Sequence, residues 1–199
     1  MRILVVSDVE ESILYDHFQR EQWPRIDLVL SCGDLQASYL SFLSSAFNVP
    51  VYYVCGNHDE SYAQEPPEGG EDLDGRLVDF RGWRIAGLEG SHWYNGKECQ
   101  YQEWQMRLKT WRLTPLVWLH GWLDIVVTHA PPRGCHDAED LCHQGFESFN
   151  GLIRRHRPSY LLHGHSHLSY QRDQRITRLG QTMVINAYGH YLLELPDRA

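Results

Sequence analysis

The chain has 199 residues, 42% of them hydrophobic and 22% charged, and its formal net charge is −8. That size and apolar content suit one domain over residues 1–199 with a substantial core and exclude a disordered chain, while the negative balance sets it against non-specific nucleic-acid binding. No apolar run approaches the roughly 20 residues of a membrane span, Met1 to Val6 is too short for a secretory signal, and an odd count of five cysteines is no disulfide framework, so a cytoplasmic protein is expected.

Arg2 to Val6 reads as a buried parallel strand that ends at Ser7-Asp8-Val9-Glu10. Ile13, Leu14 and Phe18 have helical spacing, which predicts a helix over 11–23 stopped by Pro24. Asp27 to Ser31 is a second strand ending at Cys32-Gly33-Asp34, Leu35 to Phe47 a helix, and Val49 to Val54 a third strand ending at Gly56-Asn57-His58-Asp59. This is a βαβαβ pattern with polar residues at the carboxyl ends of its strands, where α/β proteins place their sites. The acidic, Pro- and Gly-rich stretch 60–75 reads as a loop, followed by an antiparallel pair over 76–80 and 83–88.

The loop 89–97 carries His92, Trp93 and Tyr94 at its tip, a composition that suits either a lid over a cleft or an ordinary exposed loop. Two helical segments are expected next, 99–109 and 114–120, the second with Thr114 as N-cap and Pro115 in its first turn. Trp104, Trp111, Trp118 and Trp122 are expected in a core or an interface. A strand over 123–128 ends at His129-Ala130-Pro131-Pro132, a loop covers 133–145, and a helix over 146–156 precedes the strand 160–163. Cys135-His136 and Cys142-His143 match no structural zinc spacing, so a loop over the site with His143 near it is the reading preferred. Three antiparallel strands over 175–178, 182–186 and 191–195 finish the chain.

Five strand ends thus carry the same kind of residue: Asp8 with Glu10, Asp34, Asn57 with His58, His129, and His165 with His167. Each would project from the same edge of a sheet, and alternation puts His165 and His167 on one side of an extended segment. His163 is expected in the core or just behind the site. A mixed set of carboxylates, an amide oxygen and imidazoles suits Mn²⁺, Fe²⁺, Ni²⁺ or Zn²⁺ better than Ca²⁺. Two such ions about 3.5–4 Å apart would clamp a phosphoryl group. Taken singly, Asp8 or Asp34 could be a helix cap, Glu10 a first-turn charge and Asn57 a turn residue.

These motifs, in this order over nearly the whole chain, resemble the calcineurin-like metallophosphoesterases: Ser7-Asp8-Val9-Glu10, Gly33-Asp34, Gly56-Asn57-His58-Asp59, Thr128-His129-Ala130-Pro131-Pro132 and Gly164-His165-Ser166-His167. The stretch 128–167 resembles the small prokaryotic phosphodiesterase-like branch. The resemblance implies an α/β fold of two packed β-sheets flanked by helices, an αββα sandwich. It implies that Asp8 and His167 bind a first metal, Asp34 bridges, and Asn57, His129 and His165 complete a second. His58 would serve as general acid for the leaving alkoxide or as a transition-state stabiliser, and Asp59 would orient it. Where the family usually has Asp-x-His, this chain has Glu10, which as a ligand would harden the first site and favour Mn²⁺ or Mg²⁺ over Zn²⁺. The function implied is hydrolysis of a small phosphodiester by in-line attack of metal-bound hydroxide, with no membrane partner and a nucleic-acid substrate not favoured. A monoesterase of the same fold, or an interaction scaffold that has lost catalysis, are the alternatives.

Overall fold

A computed structural model of the chain describes residues 1–167 and 174–198. Its elements are β1 (Arg2–Ser7), β2 (Leu28–Ser31), α1 (Ala37–Phe47), β3 (Val51–Tyr53), β4 (Gly70–Asp72), β5 (Leu77–Phe80), β6 (Trp83–Leu88), β7 (Ser91–His92), β8 (Gln100–Tyr101), α2 (Glu103–His120), β9 (Ile125–Thr128), α3 (Glu147–His156), β10 (Tyr160–His163), β11 (Ile176–Leu179), β12 (Thr182–Asn186) and β13 (Gly189–Glu194). One sheet has the strand order β13-β1-β2-β3-β4 and the other β11-β12-β10-β9-β6-β5, while β7 and β8 form a small parallel pair. Within each sheet the central strands are parallel: β1 to β4 in the first, and β6, β9, β10 and β12 in the second.

The continuous apolar runs follow from this layering. In β1, Ile3 and Val5 point into the space between the sheets, while Leu4 and Val6 pack under α1. In β9, Ile125 and Val127 face the same inter-sheet core, and Val126 packs under α2 and α3. A strand buried on both faces has no polar side to show, so period two is present in the contacts but hidden in the residue types. Two sheets face to face with helices on both outer faces is the expected αββα arrangement. No helix among the described residues is long and apolar enough to cross a membrane.

Three local expectations are corrected. The predicted helix over 11–23 is instead two 3₁₀ turns, Ser12–Leu14 and Arg20–Gln22. No side chain caps the first turn, and the aromatic residues of this stretch are engaged in tertiary contacts. Tyr15 meets Tyr39 and Phe42 edge-on, and Phe18 meets Phe42 and Phe47. The segments at 99–109 and 114–120 are parts of one helix, α2, which runs through Pro115. Thr114 is no N-cap; it is buried, with its hydroxyl 3.2 Å from His156 Nε2. Tertiary packing thus holds the helix across one missing backbone donor. The stretch 60–75 contains β4, which adds to the sheet edge through main-chain pairing with β3 and owes nothing to the strand propensity of Gly70-Glu71-Asp72.

Gly151 lies inside α3, and a Cβ added there meets nothing within 4 Å. Gly151→Ala is therefore expected to stabilise the protein by about 0.5–1 kcal/mol, read as a higher midpoint in thermal or urea denaturation.

Candidate metal centre

The five motifs meet, but from two sheets. β1, β2 and β3 deliver Asp8, Asp34 and the 56–59 turn, and β9 and β10 deliver His129 and the 163–167 turn. The single sheet edge expected from the sequence is therefore two edges that face one another across the sandwich.

Three of the site residues leave their strands in the left-handed region: Asp8 at φ 64°, Asp34 at φ 56° and His165 at φ 64°. This conformation is costly for a residue with a side chain, and here it turns each side chain off its strand and into the gap. It also breaks period two. His165 is buried while His167 is exposed. The Glu10 carboxylate accepts the Gln36 N–H at 3.0 Å, at the N-terminus of α1, although it still lines the same cleft as Asp8, Asp34 and His58.

Backbone contacts lock the loops together. Asp8 accepts the His165 N–H at 3.0 Å and donates its own N–H to the Gly33 carbonyl at 3.1 Å. Asp34 Oδ1 accepts the His58 N–H at 2.9 Å. A Cβ on Gly164 would lie 1.8 Å from Ser7 Oγ and 2.5 Å from Asp8 Oδ2, so only glycine permits this approach. Asp59, expected to orient His58, accepts instead from the backbone of Asp34 at 2.7 Å, Gly56 at 2.7 Å and Leu35 at 3.2 Å. Burial raises its pKa to about 6, against those hydrogen bonds. The His58 ring is exposed and has no hydrogen-bond partner among the described residues.

One ligand atom from each of Asp34, His129 and His165 lies within 4.8 Å of the other two. His129 is fully buried, and its Nδ1 faces the Cys32 carbonyl at 2.8 Å, so in the neutral ring Nδ1 carries the proton. Nε2 then meets Asn57 Oδ1 at 3.0 Å and Asp34 Oδ2 at 3.5 Å, lone pair to lone pair. Acceptors that converge in this way suit a cation between them. Burial opposes protonation of His129, yet Asp34 and Asp8 raise its pKa, which is the same electrostatic field expressed on a proton. His165 gives Nε2 to the Cys142 carbonyl at 2.6 Å, which leaves Nδ1 unprotonated, and burial pushes its pKa down to about 3. His167 packs 5.0 Å from the Tyr188 ring, at the outer side of the group.

Three groups that the sequence placed around the site lie against it. Asn57 Nδ2 donates to the Tyr94 hydroxyl at 3.1 Å, so the aromatic tip of the 89–97 loop reaches the centre. The His143 ring lies 5.2 Å from His165 and 6.2 Å from His167. His163 is buried behind the site, with Nε2 2.8 Å from His136 Nδ1, and burial lowers its pKa to about 3. A second convergence, Cys55, Glu89 and Cys99, lies nearby, but the Lys109 ammonium already sits 3.0 Å from the Glu89 carboxylate and supplies its counter-charge.

Comparison with known proteins agrees with this geometry. The family model described as calcineurin-like phosphoesterase matches residues 1–169, and the chain belongs to that family. It is 29% identical to an uncharacterized protein of Haemophilus influenzae, over 98% of each chain. It is 39% identical over 79 residues to the 3′,5′-cyclic adenosine monophosphate phosphodiesterase CpdA of Pseudomonas aeruginosa, an alignment that covers 36% of this chain and 29% of that one. Among solved structures, the protein TT1561 of Thermus thermophilus superposes with a TM-score of 0.64 at 20% identity, over 94% of this chain and 89% of that one. The calcineurin-like phosphoesterase YfkN of Bacillus subtilis does so with a TM-score of 0.54 at 13% identity, over 99% and 86% of the two chains.

The close approach at Gly164 yields a test of the loop lock. Gly164→Ala is expected to lower stability by about 1–3 kcal/mol in denaturant titration, as an overpacked position does. Gly151→Ala is the control that moves the other way.

Proposed function

We propose that the chain is a dinuclear metal-dependent phosphodiesterase acting on a small substrate. The observation that carries this reading is the convergence of Asp34, His129 and His165, acceptor against acceptor, where the strands of the two sheets end. Asp34, Asn57, His129 and His165 would hold one divalent ion; Asp8 and His167, with Asp34 shared, would hold the other. Glu10, one of whose carboxylate oxygens accepts the Gln36 amide, is the further candidate for the second set. The nitrogen and oxygen donors favour Mn²⁺, with Fe²⁺, Ni²⁺, Mg²⁺ or Zn²⁺ as alternatives. Divalent ions held there supply Lewis-acid stabilisation of the phosphoryl oxygens and lower the pKa of water.

The chain's own residues do the rest. Asp34 Oδ1 pins the backbone of His58, whose exposed ring stands at the mouth of the cleft and can give a proton to the departing alkoxide. Asp59 is a positioning residue that ties the Asp34 turn to the 56–59 turn. Preference for a diester is supported by Arg133, the cation that could grip the extra charge of a monoester. Its guanidinium is already bound to Asp137 and Glu139, each at 2.7 Å. The partial similarity to a cyclic-nucleotide phosphodiesterase points the same way.

The test is hydrolysis of bis-p-nitrophenyl phosphate by metal-stripped protein with Mn²⁺, Mg²⁺, Ni²⁺ or Zn²⁺ added back. Restored turnover is expected, faster than with the monoester. Asp34→Ala should lose both bound metal and turnover, whereas His58→Ala should keep its metal and lose about 10²–10⁴-fold in rate. Bound metal without turnover on any ester would leave the interaction scaffold as the reading.

Metal affinity should also depend on pH. The ring of His129 must be neutral to bind, and Asp34 and Asp8 hold a proton on it above the usual histidine range. Calorimetric titration is therefore expected to give weaker Mn²⁺ binding at about pH 6 than at about pH 8. Equal affinity at the two values would count against His129 as a ligand.

A further inference from the structure

α2 is apolar on two opposite faces. Met106, Leu113 and Val117 point into the core under the second sheet. On the far side, Trp104, Leu108, Trp111, Pro115, Trp118 and Leu119 form a stripe at helical spacing along the whole element. All six are exposed, Trp118 by 74% and Leu119 by 81%. Of these two apolar faces the fold covers only the inner one. At the N-terminal end of the stripe, Trp93, Trp104, Arg107 and Leu141 line an open groove of about 520 Å³.

We propose that the stripe is the interface of a homodimer in which the α2 helices of two copies pack antiparallel. In an isologous contact the same patch is used by both copies, so an antiparallel pair brings each stripe against its own counterpart. With the helices crossing at the level of Leu113, Leu108 falls opposite the partner's Trp118 and Trp111 opposite the partner's Pro115. The two most exposed side chains of one copy, at the C-terminal end, then enter the groove at the N-terminal end of the other. An indole there comes within reach of the Arg107 guanidinium. The stripe and groove together leave roughly 800 Å² uncovered per copy, which is the area a stable dimer buries on each partner. An apolar face with aromatic and arginine residues is also the composition of an interface core. The chain's net charge of −8 sets it against the other occupant of such a face, an anionic lipid surface.

Sedimentation equilibrium of the full chain at micromolar concentration should return twice the 23.3 kDa chain mass. The pair Trp118→Glu and Leu119→Glu should raise the dimer dissociation constant at least about thirtyfold. Leu141→Glu, at the opposite end, should weaken the same dimer, because knob and groove are two halves of one contact. Circular dichroism identifies any variant that fails to fold, and the remaining site then decides. A monomer at all concentrations, a dimer indifferent to both sites, or a monomer that sediments with phosphatidylglycerol vesicles would each overturn the proposal.

Discussion

The Asp59 carboxylate accepts hydrogen bonds from the backbone of Asp34, Leu35 and Gly56, and the geometry of the candidate centre depends on that grip. The turns after β2 and β3 belong to adjacent parallel strands, and nothing in strand pairing sets how their tips lie relative to one another. A buried carboxylate that must be satisfied does set it, because each of its bonds lost would leave charge unpaired in a low-dielectric space. The residue next to the exposed His58 thus acts on the backbone, and His58 is held through its main chain while its ring stays free.

The second constraint is the strained backbone at Asp8, Asp34 and His165. Each would relax to an extended conformation if its strand end were free, at a gain of about 1–2 kcal/mol per residue. The lock between Asp8 and the His165 amide, and the contact that Gly164 allows with Ser7, hold β1 of one sheet against β10 of the other. The hydrophobic core between the sheets presses these edges together, so the energy that keeps the left-handed turns in place comes from packing elsewhere. Asp34 and His165 are brought up to His129 as a result, a crowding of charge and lone pairs that an apolar core alone would not assemble.

α2 shows the limits of pattern reading in a different way. Its apolar residues cover two faces, so the segment has little contrast between sides, and Pro115 makes it look like two helices. Only contact with β6 and α3, with Thr114 bonded to His156, distinguishes the inner face from the outer one.

The family's fold was legible from the sequence alone, as were the strand ends that meet at the candidate centre. Strand ends marked by Asp8, Asp34, Asn57, His129 and His165 announce themselves because apolar runs stop abruptly at polar, glycine-containing turns, a local signal. The strands themselves were legible for the same reason, being short, continuous and apolar. What the sequence could not carry is whatever depends on the second sheet. The irregular path of 11–23 follows from aromatic contacts with α1, and β4 exists through main-chain pairing, which leaves no mark on residue type. The contact of Glu10 with the α1 amide and the turn of Asp59 towards backbone follow from left-handed turns and close approaches between chain segments distant in sequence. Side-chain identity determined which groups are present; only the packing of two sheets edge to edge decided which of them face each other, because orientation at a strand end is set by the neighbour it meets.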